Sequence, residues 1–234
     1  MKVDQQTLMY IQNVVETARL VKIENIIIEP GKVRAMDEDR SVVLFQDSNV
    51  PDLPFNAIGL ARIDVFQSRF EIAKSISGFE IEAVMNNDKD FARALVMKGK
   101  GIKIDYKCAS PKTIQAPKTL NDTIKYQIAM TPDAVQLMSK GVGAMGADEI
   151  TFVGGADGVS FEIEDINRDM LSFQFATSVI EVEGGQVGNF KYKYPIKHIL
   201  SLFKHNSSGS FFISTHGMMK IQVNGLDMHI PPRG

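Results

Sequence analysis

The chain has 234 residues, 44% hydrophobic and 23% charged, with a formal net charge of −2 and one cysteine. That composition excludes a disordered polymer and a globally basic nucleic-acid binder, and the lone Cys108 excludes an internal disulfide and fits a reducing compartment. No stretch approaches the roughly 18 apolar residues of a membrane span, and Met1-Lys2-Val3-Asp4 puts no cationic region ahead of an apolar one. The expectation is a soluble intracellular protein without membrane contact.

The chain opens with an amphipathic helix, Leu8, Ile11, Val15 and Ala18 sharing one face. A strand ending Ile26-Ile27-Ile28, a turn at Pro30-Gly31 and a strand from Val33 follow. Residues 41–46 alternate, and a loop marked by Pro51 and Pro54 leads to a strand at 58–61. A second helix places Ile63, Phe66, Phe70 and Ala73 at helical spacing. Strands at 79–84, 91–97 and 102–106 are separated by Asn86-Asn87-Asp88 and Gly99-Lys100-Gly101, both turn-forming. Residues 110–122, with Pro111 and Pro117, show neither periodicity and read as a linker between domains at 1–109 and 123–234.

The second half opens with a strand at 124–129. Thr131-Pro132-Asp133 supplies a capping hydroxyl and a first-turn proline for a helix with Ala134, Leu137, Met138 and Gly141 on one face. A strand Ile150-Thr151-Phe152-Val153, a turn Ala156-Asp157-Gly158, a strand from Val159 and another at 170–176 follow. Gly184, Gly185 and Gly188 mark a connection to a strand at 189–193. After Pro195 a fourth helix turns Ile196, Ile199, Leu200 and Phe203 one way and Lys197, His198, Ser201, Lys204 and His205 the other. Strands at 210–214, 218–223 and 226–230 close the chain.

Each half therefore runs helix, turn-linked strands, helix, strands, at an offset of about 126 residues (159 minus 33), too long for a solenoid. The implied class is α+β: two tandem similar domains, each with antiparallel sheets and two helices on one face.

Gly141-Val142-Gly143-Ala144-Met145-Gly146 matches the dinucleotide fingerprint in letters only. A phosphate-binding loop needs a strand before it and a helix after it, so that free N–H groups face the pyrophosphate. Here the order is reversed, and the glycines end a helix. His198, His205, His216 and His229 are scattered, no Ser or Cys sits in a nucleophile context, and no Cys/His spacing suits zinc. The acidic runs Asp37-Glu38-Asp39 and Glu162, Glu164, Asp165 read as solvated turns and strand ends rather than cation sites. The expectation is a non-enzyme with no cofactor, no metal and no catalytic residue. The polar helix faces carry Gln12 and Arg19, Arg69 and Lys74, Lys140, and Lys197 and Lys204; on one layer these would attract phosphate without reading bases.

The duplicated halves, the Pro-containing linker, Val33-Arg34-Ala35-Met36-Asp37, the turn Asp157-Gly158-Val159 and the tail Leu226-Asp227-Met228-His229-Ile230-Pro231-Pro232 resemble the DNA polymerase sliding clamps. That family includes proliferating cell nuclear antigen and the T-even phage clamp, and Met1-Lys2-Val3 running into a helix is closest to the phage, viral type. The resemblance implies a homotrimeric six-domain ring, helices inside, loaded by a clamp loader onto double-stranded DNA without sequence specificity. Such a ring acts as a processivity factor in DNA replication and tethers DNA polymerase. It implies a DNA-facing set of Gln12, Arg19, Arg69, Lys74, Lys140, Lys197 and Lys204. It also implies a partner-peptide groove of Met36, Ile114, Pro117, Leu120, Met228, Ile230, Pro231 and Pro232. The subunit interface it implies pairs Ile102, Ile104 and Tyr106 with Phe173, Phe175 and Ile180 of the next copy. The compartment would be the host cytoplasm for a phage protein or the nucleus for a eukaryotic one. A near-neutral chain suits a ring held by topology, since tight phosphate binding would impede sliding.

Two other readings stand beside it. One is a monomeric accessory protein of the same fold that holds DNA electrostatically, with strong salt dependence and a mass near 25.9 kDa. The other is a dinucleotide-dependent enzyme using the glycine run.

Overall fold

The computed structural model describes residues 1–120, 123–155, 158–175, 180–181, 189–206 and 208–233. The chain divides into two compact units, Met1–Thr119 and Leu120–Gly234.

In the first unit the helices are α1 (Gln5–Leu20) and α2 (Ile63–Lys74). The strands are β1 (Asn25–Glu29), β2 (Lys32–Met36), β3 (Val43–Gln46), β4 (Ile58–Ala61), β5 (Glu80–Met85), β6 (Ala92–Gly99) and β7 (Ile102–Lys107). Helix α1 starts at Asp4, whose carboxylate accepts from the Thr7 N–H at 2.8 Å and so satisfies an otherwise orphaned donor. These hydrogen bonds hold the Asp4 carboxyl below its ordinary value. The face read from sequence is the buried one, with Leu8, Ile11, Val15 and Ala18 enclosed, as are Ile63, Phe66, Phe70 and Ala73 on α2. Strand order is β3-β2-β1-β4-β6-β5, with β7 also on β6. All pairings are antiparallel except β4 with β6, a single parallel contact at Ile58 and Ala92. Helices α1 and α2 pack on each other, and α2 lies on β6 and β7.

The second unit contains β8 (Ile124–Ala129), α3 (Pro132–Met145), β9 (Glu149–Gly155), β10 (Gly158–Glu164), β11 (Met170–Gln174) and β12 (Ile180–Glu181). It continues with β13 (Phe190–Pro195), α4 (Ile196–Phe203), β14 (Ser210–Ser214), β15 (Met219–Val223) and β16 (Leu226–Ile230). Thr131 caps α3 through its hydroxyl, which accepts from the Ala134 N–H at 3.2 Å, and Pro132 fills the first turn, as its sequence predicts. The strands form two sheets, β11-β10-β9-β13 and β12-β8-β14-β15-β16. An aromatic core joins them: Phe152 meets Phe211 edge-on at 5.2 Å, and Phe175 meets Phe211 at 6.0 Å.

The duplication is visible strand by strand. The order β3-β2-β1-β4 repeats as β11-β10-β9-β13, and the β5, β6, β7 meander repeats as β14, β15, β16. Even the lead-in matches, because Val3 donates to Ile81 O on β5 at 2.9 Å just as β8 pairs with β14. The class is α+β with two tandem units of one topology.

Local differences from the sequence reading have physical causes. On α4 the enclosed residues are Ile196, His198, Ile199, Leu202 and Phe203, so His198, 4% exposed, belongs to the inner face and Leu200 lies at its margin. All four β3 positions are buried, so its alternation does not separate a wet face from a dry one. Pro111–Thr113 forms a 3-10 turn inside the stretch read as structureless. Asn121 and Asp122 of the linker, the turn residues Ala156 and Asp157, the strand end Ala176, Gly184, Gly185 and Gly188, and the tail's Gly234 lie outside the described residues.

Candidate functional site

The glycine run is structural. Gly141 and Gly143 lie within α3, and Gly146 is its C-cap at φ 60°, donating to Val142 O at 2.9 Å. At Gly141 a side chain would overlap Leu171 and sit 3.2 Å from Ile163 Cδ1, so glycine there lets α3 approach the sheet. No helix start follows the run, and so no pyrophosphate cradle forms.

The acidic runs are likewise structural, but not as solvated as expected. Asp37 is buried, and its carboxylate accepts from the Ser41 N–H at 2.7 Å, the Ser41 hydroxyl at 2.5 Å and the Val42 N–H at 2.9 Å, which ties the β2–β3 turn. Glu162 pairs with Lys191 at 3.2 Å, and Asp165 accepts from the N–H groups of Asn167 and Asp169 at 2.8 Å each in the β10–β11 turn. Cys108 is half-buried, and burial pushes its thiol up to about 12, opposite to an activated nucleophile. Among the described residues no group of three or more His, Cys, Asp or Glu is arranged to hold a metal ion.

The polar helix residues differ from one another. Gln12 donates to Glu16 at 2.7 Å within α1. Arg19 pairs with Asp64 at 2.6 Å, linking α1 to α2, and Arg69 donates to the Asp105 carbonyl on β7 at 3.0 Å. Lys74, Lys140, Lys197 and Lys204 are exposed, with no ion pair among the described residues. Arg62, which sequence reading passed over, is exposed at the start of α2 at φ 59°.

Of the groove set, Met36 and Ile114 line one cavity. With Asn25, Ala61, Ala109 and Gln115 they line a cavity of about 470 Å³ in the first unit, rimmed by Lys22, Glu24, Asp37 and Glu38. The wall is built by close approach: a Cβ on Gly59 would sit 3.0 Å from Ile114 Cδ1. The Pro117 carbonyl accepts from Arg34 at 3.3 Å, and that guanidinium also holds Glu29 at 3.0 Å. Leu120, Met228, Ile230, Pro231 and Pro232 belong to the second unit, where Met228 and Ile230 are fully buried and the prolines half-buried. Arg233 donates its N–H to Lys193 O at 2.7 Å, fastening the tail to β13.

The edge strands divide by side-chain direction. Strand β7 pairs only with β6, and β11 only with β10, among the described residues. Ile102 is 46% exposed and Met170 62% exposed, so each edge carries uncovered apolar surface. Tyr106 instead points inward: it is fully buried, sits edge-on to Phe66 at 5.2 Å and donates to the Ala61 carbonyl, and burial pushes its hydroxyl up to about 12. Phe175, 5% exposed, is part of the aromatic core, while Phe173 and Ile104 are half-buried. For Ile180 only the backbone is described, in β12 against β8.

Solved structures similar to this chain include clamps. A. fulgidus PCNA, determined with the C-terminal region of FEN-1 bound, matches with a TM-score of 0.62 at 17% identity over 96% of this chain and 95% of that one. The PCNA2–PCNA3 complex of Sulfolobus tokodaii matches at 0.55 and 14% identity over 95% of each chain. The H. pylori beta clamp, in complex with 5-chloroisatin, matches at 0.64 and 10% identity over 97% of this chain and 62% of that one. No protein-family model and no curated protein matches the sequence. The fold is that of the sliding clamps, a class defined by duplicated helix-on-sheet units. The particular chain is a clamp-fold protein of two such units.

Proposed function

We propose that the protein is a sliding clamp: a non-enzymatic processivity factor that closes into a homotrimeric ring around duplex DNA and tethers DNA polymerase and other replication proteins. The observation that carries this reading is the pair of unlike edges, β7 in one unit and β11 in the other, each with an exposed apolar side chain at its start. Joining β7 of one copy to β11 of the next continues a sheet and hides both edges, and such head-to-tail contacts close into rings. Ile102, Ile104 and Phe173 contribute apolar contact there, whereas Tyr106 and Phe175 support the strands from inside.

Partner segments bind at the cavity lined by Met36 and Ile114, as an extended peptide with an apolar anchor would. FEN-1's C-terminal region is the natural probe, since a clamp-fold protein has been solved with it. Residues 110–122 act as the connecting segment, and a clamp loader places the ring on DNA inside the cell. Solution mass in physiological salt tests assembly: the ring requires about three times 25.9 kDa. A monomer at micromolar concentration, or a loaded protein lost equally fast from circular and linear DNA, refutes the reading.

A further inference from the structure

We infer that duplex phosphates are held by the second unit alone, through Lys197 on α4, Lys204 at its C-cap and Lys140 on α3, while the helices of the first unit contribute no net attraction. The inference rests on the proposed DNA association and assigns it to particular side chains.

Charge decides between the units. Helices α1 and α2, with their cap residues Asp4 and Arg62, carry Arg19, Arg62, Arg69 and Lys74 against Asp4, Glu16, Asp64 and Glu71, four of each sign. Two of those cations are also occupied: Arg19 by Asp64 at 2.6 Å, Arg69 by the Asp105 carbonyl at 3.0 Å. The outward face of these helices adds the uncharged Met9, 63% exposed, and Ile72, 55% exposed. Helices α3 and α4, with the cap residue Lys204, carry Lys140, Lys197 and Lys204 against Asp133 alone, an excess of two positive charges. All three lysines are exposed and without an ion pair among the described residues.

Lys197 is also in a position that folding does not favour. It lies in the first turn of α4, where the helix dipole is positive, with no acidic residue in that turn and no side-chain cap from Pro195. A residue that opposes its local electrostatics without a compensating contact marks a functional surface. Lys204 borders a groove of about 610 Å³ between α3 and α4, lined by Thr131, Gln136, Ser139, Asn206 and Ser208 as well as apolar residues, with no carboxylate in its wall. Thr131, Asn206 and Ser208 are engaged within the fold, and the Gln136 amide and Ser139 hydroxyl beside the Lys204 ammonium complement a phosphate backbone.

The test is the salt dependence of binding to a fluorescent 30-base-pair duplex between 50 and 200 mM salt, read by anisotropy on the intact protein. Each phosphate contact contributes about 0.9 to the slope of log K against log salt. Lys197→Gln and Lys204→Gln should each flatten the slope by about that amount per subunit engaged, with Lys197→Arg retaining it. Arg19→Gln and Arg69→Gln should leave it unchanged. Circular dichroism confirms that each variant is folded. Flattening by Arg19→Gln equal to that by Lys197→Gln, or a slope indifferent to both lysines while the duplex still binds, overturns the assignment. Failure of the unaltered protein to bind the free duplex overturns the lysine assignment alone, whereas loaded protein that leaves circular and linear DNA equally fast overturns the DNA reading beneath it.

Discussion

Substituting alanine for each glycine of the 141–146 run separates a packing role from a phosphate-binding one. Gly143 has nothing within 4 Å of the position its Cβ would take, so alanine there should stabilise by about 0.5–1 kcal/mol through helix propensity. At Gly141 the same gain is opposed by overlap with Leu171 and tight contact with Ile163, and overpacking costs about 1–3 kcal/mol, so the net effect is a loss of up to about 2 kcal/mol. Gly146 adopts φ 60°, where a Cβ costs roughly 1–2 kcal/mol. Urea unfolding of the three variants should therefore rank Gly143→Ala above the unaltered protein and the other two below it. A dinucleotide site would rank them differently, because its second glycine is where the backbone meets the pyrophosphate. A destabilised Gly143→Ala variant, or saturable dinucleotide binding lost in it, would refute the helix-end account.

Phe175→Ala should cost about 3–5 kcal/mol in urea unfolding because it empties part of the aromatic core, whereas Ile102→Glu should change stability by less than about 0.5 kcal/mol yet lower the solution mass. Asp37→Ala strips three hydrogen bonds from the β2–β3 turn and should cost about 1–3 kcal/mol, with Asp37→Asn milder, as measured by denaturant midpoint. Stability should fall as pH rises above 10, since the Tyr106 phenol is held neutral up to about 12 in the fold but ionises near 10 when unfolded. Comparing unfolding midpoints at pH 8 and pH 11 for Tyr106→Phe and the unaltered protein checks it: the variant should lose less between the two, Cys108 and Tyr10 supplying the remainder.

Most of the fold was legible because apolar periodicity and turn residues agree along the chain: β4, β8, β14 and β16 begin and end where Ile58, Ile124, Ser210 and Leu226 suggest. His198 was misread because the buried arc of α4 centres between Ile199 and Leu202, and an eight-residue helix is too short for spacing to fix that centre. The Asp4 cap was legible, because aspartate directly ahead of an amphipathic helix is a favoured cap whichever residue supplies the backbone N–H. Candidate site residues were less legible. Tyr106 lies on an edge strand and Phe175 directly follows one, and an edge is offered through its backbone while alternate side chains turn toward the core; strand position alone does not say which turn inward. Arg19 and Arg69 looked free in sequence because Asp64 and the Asp105 carbonyl are remote from them along the chain.

The strand borders β7 and β11 are not alike, and if copies join through them as proposed, that asymmetry has a genetic consequence. A molecule spoiled at one border keeps the other intact, so it still joins an unspoiled neighbour and leaves the assembly with no way to be completed. Mixed with normal copies, such a terminator would poison complexes in excess of its own share, while a molecule spoiled at both borders would be inert.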